Sequence, residues 1–453
     1  MITALRGPAG RSLLRIAVPV TLQTVVFSSK SVVDAVMLGT QTEIDVAAIG
    51  IASKATFVVS IFLIGFTIGG AQIGAQLWGG ERPDRAVRLR QTVWLTWATS
   101  TVCALAAFVT FAVVPEAVIG LGTDSAAVVE RGAAFLRIVS PTFLLFCYTS
   151  AVAAGLRVML QPTISTVYAV VGVVLNVALN AVLIFGLLGA PRLGVVGAAY
   201  GTLVSAVVET GLLAVHLLTT RHVLARFPRA ELGLVTRAQT VALLRLSVPA
   251  ACNSTIWALG SFAFYAVIGS TGVSAAAALA ILSPVESLAL ALTIGLANAA
   301  AVVVGSTIGS GHVEDAYRQA WALVRLGLLV GVATCVVTWA AQDAVLGMFG
   351  AITPETRALT ETLFAVLVVS FVLKSVSMVM VLGVLRAGGE VRFCLLLDVG
   401  AQWVLLLPGA LLLRDVVGVG PVLVFALVLV EEAVRIGVAG WRIRSRRWLN
   451  DLT

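Results

Sequence analysis

The chain has 453 residues, of which 59% are hydrophobic and 11% charged, with a formal net charge of +8. Ordinary soluble domains carry about 25% charged residues, so there is too little charge here to cover the two or three water-facing domains such a length implies. Composition therefore excludes a soluble protein and places the chain in a lipid bilayer.

The N-terminus, MITALRGPAGRSLLRIAVPV, has the basic start and apolar continuation of a signal peptide. It shows no A-x-A-like cleavage site, and the apolar run continues to Leu38. It reads as a retained first span. A span needs about 20 mostly apolar residues. Twelve such runs follow one another: roughly 13–38, 46–76, 88–114, 132–157, 162–187, 194–219, 241–269, 275–308, 319–342, 358–385, 391–413 and 418–440. They are long and lack strand alternation. A backbone in lipid must satisfy its own hydrogen bonds, so these are helices. The fold class is all-α integral membrane.

Charges inside the runs are the exception that needs a reason. Each costs roughly 2.5–3.5 kcal/mol near the bilayer centre on insertion scales. In the first run, SSKSVVDAVMLG places Lys30 and Asp34 at i, i+4, on one helix face. Either they form a neutral pair that holds the helix in place, or the pair competes with a proton for the Asp34 carboxylate. Bending at Pro19 would then couple protonation to shape. Lys54 lies in the second run. The chain has three lysines, all within runs, against 27 arginines. An ammonium is a compact charge that titrates more readily than a guanidinium, which favours a role in titration or a tight ion pair.

In the second half, Glu286, Lys374 and Asp398 come from runs 8, 10 and 11, with Gln402 one turn beyond Asp398. Intramembrane ionisable groups face the interior and partner one another, so these are expected to form one polar cluster. The competing role is helix-to-helix glue. Glu431 and Glu432 point about 100° apart on a helix. Only Glu432 is expected inside, with Arg435 as its partner. The five cysteines lie in apolar runs without a C-x-x-C pair, and the three histidines lack metal-ligand spacing. No metal site is expected from these residues.

Loop charge sets the orientation. Twenty-one arginines fall on one side, in the N-terminus, in the loops near 82–90, 221–245, 318–325 and 386–392, at Arg157, and in the tail after Arg442. Four fall on the other, Arg131, Arg192, Arg357 and Arg414. Both termini are expected in the cytoplasm. The arginines follow the loops, so the positive charge does not mark a nucleic-acid partner.

LLRIAVP (13–19) returns as LLRLSVP (243–249), 230 positions later. Gly79 maps to Gly309 and Ala86 to Ala316 at the same offset, and GLR (155–157) returns as VLR (384–386). The chain reads as two six-helix units: an N-lobe over 1–219 and a C-lobe over 241–453, joined by the basic cytoplasmic loop 220–240. Even-numbered units enter from the same side, so an axis along the membrane normal relates them. That arrangement suits alternating access. No Walker-type glycine-rich lysine motif is present, which leaves an ion gradient as the drive.

LLRIAVPVTLQ, VDAVMLG, GGERPDRAVR, LNVALNAVLIFG, GVVGAAYGT and GVLRAGGEVRF, in that order and spacing, resemble the multidrug and toxic compound extrusion (MATE) transporters over nearly the whole chain. The resemblance implies a twelve-helix, V-shaped antiporter in a bacterial plasma membrane. It would export amphipathic, often cationic, organic compounds in exchange for H⁺ or Na⁺, without a cofactor or enzymatic chemistry, and as a monomer. It assigns Asp34 to the helix 1 acid that binds the coupling ion, Pro19 to the helix 1 bend and Asn176 to the N-lobe site. Asn180 replaces an aspartate of one branch. Trp257 stands where the sodium-coupled branch has a glutamate, and Ser375 aligns near that branch's helix 10 aspartate. The tail EEAVRIGVAGWRIRSRRWLNDLT resembles a less characterised bacterial branch. The rival within the same superfamily is a flippase for a lipid-linked saccharide. A receptor or enzyme is disfavoured, because no catalytic constellation is present.

Overall fold

The computed structural model describes residues 13–26, 37, 42–225, 235–347 and 353–452. Lys30 and Asp34 lie outside the described residues, as do 226–234 of the loop between the two repeats. Among the described residues the chain is helical without a strand. The helices are α1 (Leu13–Val26), α2 (Glu43–Gly79), α3 (Arg85–Val113), α4 (Ala126–Val139 and Thr142–Val158), α5 (Pro162–Phe185), α6 (Val195–Thr219), α7 (Arg237–Gly269), α8 (Val273–Gly309), α9 (Val313–Ala340), α10 (Pro354–Gly388), α11 (Val391–Val417) and α12 (Pro421–Arg444).

Nine of these are long and apolar enough to cross a membrane. α4 makes a tenth. The sequence reads it as one straight run, but it bends by 45° at Ser140–Pro141, where proline supplies no amide to the helical ladder. The two others differ for separate reasons: α1 has 14 described residues, and α12 carries Glu431, Glu432 and Arg435 in its middle. Helix ends follow ordinary stop and start chemistry. α5 opens with Pro162 and closes on Gly186 in the left-handed conformation (φ 72°). α10 opens at Pro354, with Thr353 Oγ1 accepting the Thr356 amide at 3.2 Å.

Two compact units form. The N-terminal unit contains α2 to Gly74, α3–α6 and α7 to Ala251; the C-terminal unit contains residues 13–24, 75–81 and everything described from Cys252 onward. The first has its core at Leu63, Phe111, Leu136, Phe143 and Ile184. The second has its core at Phe264, Leu282, Phe364, Phe371 and Phe425.

Small residues set how closely the helices approach, which in lipid is the main source of helix affinity. Within the C-terminal unit, a Cβ on Gly79 would run into the backbone of Ser306, and one on Gly309 into the backbone of Gln76. These contacts are reciprocal, and the 230-residue offset maps each onto the other. The same holds higher up. In the N-terminal unit Gly65 meets the backbone of Ala250 and Ala251, and Ser247 Oγ donates to the Phe66 carbonyl at 2.9 Å. In the C-terminal unit Gly295, the repeat equivalent of Gly65, meets Thr21 and the Ala17 carbonyl.

The basic segment after α12 is tied in by hydrogen bonds. Gln76 is fully buried; its Nε2 donates to the carbonyls of Ala387 and Asn450, both at 3.0 Å, and its Oε1 accepts the Leu452 amide at 2.7 Å. Asn450 Nδ2 donates to the Gly388 carbonyl at 3.0 Å, and Trp448 is fully buried. Arg446 pairs with Glu314 at 2.8 Å and lies over the Tyr317 ring.

Gly79→Val is expected to lower stability by roughly 1–3 kcal/mol through overpacking against the Ser306 backbone. Gly437→Ala, inside α12 at a position with nothing within 4 Å of a new Cβ, is expected to keep stability or raise it by up to about 1 kcal/mol, since alanine favours a helix over glycine. Thermal unfolding of the two variants in detergent checks this; equal melting temperatures would remove the close-approach account.

Candidate functional site

α12 begins at Pro421 and stays apolar for ten residues before Glu431 and Glu432. Arg435 follows at i+4 and i+3, so its planar fork lies over the groove between the two acids. Arg435 Nη2 stands 2.7 Å from Glu431 Oε1, and Nη1 stands 3.4 Å from Glu432 Oε1. Asp398 on α11 approaches the same guanidinium, 3.5 Å from Nε. All four side chains belong to residues between 4% and 7% exposed. The expectation that only Glu432 turns inward is therefore corrected. A 100° separation lets one arginine, a turn further on, hold both carboxylates inside.

The network continues from Asp398. Asn253 on α7 donates Nδ2 to Asp398 Oδ2 at 2.8 Å, and Arg386 donates to Asn253 Oδ1. The loop assignment of Arg386 is corrected as well: the residue is 4% exposed. α10 widens into a π turn over Val379–Leu385 and then tightens at Arg386–Gly388, which carries the guanidinium inward.

On the other side, Ser377 on α10 donates its hydroxyl to Glu432 Oε2. One turn earlier Lys374 pairs with Glu286 Oε1 from α8, and Tyr265 from α7 donates to Glu286 Oε2. Thus Glu286, Lys374 and Asp398 belong to one chain of charges, but Asp398 meets Arg435 and Asn253 in place of Lys374. Gln402 stands apart. Its Nε2 donates to the Trp257 carbonyl at 3.2 Å and to Ser261 Oγ at 3.1 Å. Trp257 itself is 39% exposed, and Ser375 hydrogen-bonds Thr293 at 2.7 Å.

Sequence reading passed over Tyr265, Asn253 and Ser377. A phenol inside an apolar run needs a hydrogen-bond partner, which is a signal Tyr265 did offer. Asn253 and Ser377 offered none, since short polar residues are common throughout these helices.

In the N-terminal unit the polar residues line the α5–α6 seam. Asn180 Nδ2 donates to Asn176 Oδ1, and Asn176 Nδ2 to Thr202 Oγ1, each at 3.3 Å. Gly201 leaves the space that Asn180 occupies, and Gly172 leaves the space for Glu209. Tyr168 and His216 meet at 3.0 Å two turns further along the same seam. Lys54 is exposed on α2, and Pro19 lies half-buried within α1, which continues through it. Lys30 and Asp34 are outside the described residues.

Removing one partner of a buried ion pair strands the other, which costs about 3–5 kcal/mol. Arg435→Met is expected to cost at least the lower figure, because three carboxylates share that guanidinium. Adding Glu431→Gln and Glu432→Gln to Arg435→Met is expected to return part of the loss. Unfolding midpoints across that set check it; full stability of the single variant would mean the acids are held by other means.

The MatE family model matches this chain twice, over residues 19–182 and 249–412. The two matches begin 230 positions apart (249 less 19), the offset of the internal repeat. Multidrug resistance protein MdtK of Yersinia pseudotuberculosis is 27% identical over 89% of this chain and 87% of its own length. The uncharacterized transporter YisQ of Bacillus subtilis is 24% identical over 99% of this chain and 97% of its own. Among solved structures, MATE in complex with MaL6 superposes with a TM-score of 0.85 at 18% identity, covering 98% of both chains. A MOP superfamily transporter from Pyrococcus furiosus gives the same three figures. That structural likeness establishes the fold. The paired sequence matches span most of the chain, one in each repeat, and with them this protein belongs to the MatE family.

Proposed function

We propose that the protein is a secondary active efflux antiporter that exports amphipathic organic cations in exchange for H⁺ or Na⁺ by alternating access. The observation that carries this reading is the charged network of the C-terminal unit. Four carboxylates are held inside helices that are otherwise apolar, in a chain of a transporter family. Intramembrane acids are costly, and ion pathways are their usual reason to exist. The name of the Yersinia relative, a multidrug resistance protein, supports export of organic compounds. Asp34 is the acid of the first repeat in the same scheme, with Lys30 setting its preference and Asn176 and Asn180 supplying the polar residues of the α5–α6 seam.

The functional test uses purified protein in proteoliposomes, with ethidium as the probe cation. Export is measured under an imposed proton gradient, an imposed sodium gradient and no gradient. Gradient-driven export by the wild type is expected, and Asp34→Asn is expected to reduce it to background while the protein stays monodisperse. A neutral amide is cheaper in lipid than a carboxylate, so the fold survives the change. Wild-type export by Asp34→Asn would assign Asp34 to a structural pair and leave coupling to the C-terminal network.

Both termini belong on the cytoplasmic side of the plasma membrane in this reading, since the arginine-rich loops do. Glu81, exposed in the loop after α2, offers a check. On a background without the five native cysteines, Glu81→Cys is expected to resist a membrane-impermeant thiol reagent in intact cells and to react once the cells are opened. Labelling in intact cells would invert the topology.

A further inference from the structure

The buried network has an uneven charge count. Arg386, Arg435 and Lys374 supply three positive charges; Glu286, Asp398, Glu431 and Glu432 supply four negative ones. Setting aside the Lys374–Glu286 pair, which is neutral by itself, leaves two against three and the same deficit. A net charge enclosed in low dielectric is resolved by neutralisation rather than tolerated. One unit of positive charge is therefore missing.

The four carboxylates are not equally placed to receive it. Glu286 accepts from Lys374 and Tyr265. Asp398 accepts from Asn253 at 2.8 Å. Glu432 accepts from Ser377 and, at 3.4 Å, from Arg435. Glu431 approaches Arg435 Nη2 at 2.7 Å, yet its buried Oε1 and that Nη2 both lack a hydrogen-bond partner of acceptable geometry. Hydrogen bonds to the charged form hold a carboxylate ionised, and Glu431 gives up the fewest on becoming neutral. The charged groups around it on α10, α11 and α12 are Lys374, Asp398, Glu432 and Arg435.

We propose that Glu431 is the proton-carrying residue of the C-terminal unit, and that the network takes one proton. The proton comes from water onto a Glu431 carboxylate oxygen, and the network passes from a charge of −1 to 0. Arg435 is then left to Asp398 and Glu432. The proposal rests on the antiport reading for the use made of the proton, but the proton's place is measurable without transport.

The test is infrared difference spectroscopy of the purified protein in lipid nanodiscs, between about pH 5 and about pH 9. The signal is the carbonyl stretch of a neutral carboxylic acid, identified by its shift in deuterated water. Glu431→Gln is expected to remove the share of one carboxyl from that signal. Arg386→Gln deepens the deficit by one charge, so the network's share of the signal is expected to rise about twofold. Ser377→Ala is expected to leave the band position unchanged; an upward shift would move the proton to Glu432 and overturn the assignment. An undiminished band in Glu431→Gln also overturns it, as does a wild-type spectrum without the band that responds instead to sodium. Absence of gradient-driven ethidium export with the infrared pattern intact would defeat the antiport reading and leave Glu431 as the proton site.

Discussion

The Arg435 guanidinium is the contact on which the C-terminal half of this structure depends. Three carboxylates from two helices lie within 3.5 Å of it, in a setting where each charge alone would be expelled or neutralised. An arginine suits the position because it stays charged when buried and presents a planar fork with several donors. A lysine would offer one compact charge and a different reach. The lysine of the network, Lys374, is used where one close partner suffices, at Glu286.

Around that centre the neutral polar residues do the connecting. Asn253 uses both ends of its amide, donating to Asp398 and accepting from Arg386, so two ionic groups too far apart for a direct bond are held in register. Ser377 and Tyr265 each donate a single hydroxyl to one carboxylate, Glu432 and Glu286 respectively. Buried polar networks are strong only when satisfied, and this one is nearly so. Among its carboxylates the exception is Glu431, whose Oε1 lacks a hydrogen bond, as do the Nε atoms of Arg386 and Arg435 and Arg435 Nη2.

The apolar framework obeys a simpler rule. Where two helices must touch, one presents glycine and the other a backbone: Gly79 and Gly309 in one crossing, Gly65 and Gly295 at repeat-equivalent positions. Lipid gives apolar side chains no reason to prefer each other, so close backbone approach and its dispersion energy decide the packing. The Gln76 clasp on Ala387, Asn450 and Leu452 adds a polar lock at the end of α2 and fixes the C-terminal segment.

Along the chain, much was legible. Helix positions followed from the length of apolar runs, because a bilayer demands about 20 such residues and forbids unpaired backbone. The 230-residue repeat was visible as LLRIAVP and LLRLSVP, and the glycine pairs obey it. Contacts within one helix were legible too: Glu432 with Arg435 is an i, i+3 pair, read from spacing alone. The sequence grouped Glu286, Lys374 and Asp398 across three helices, but it left open which side chain pairs with which. Spacing fixes the angle of a side chain about its own helix axis, but not the rotation of that helix against its neighbours. The pairing of Lys374 with Glu286 across 88 positions, the capture of Asp398 by Arg435, and the inward turn of Arg386 after a π turn all depend on those rotations. They are set by which small residues let which backbones approach, and that is a property of the packed structure.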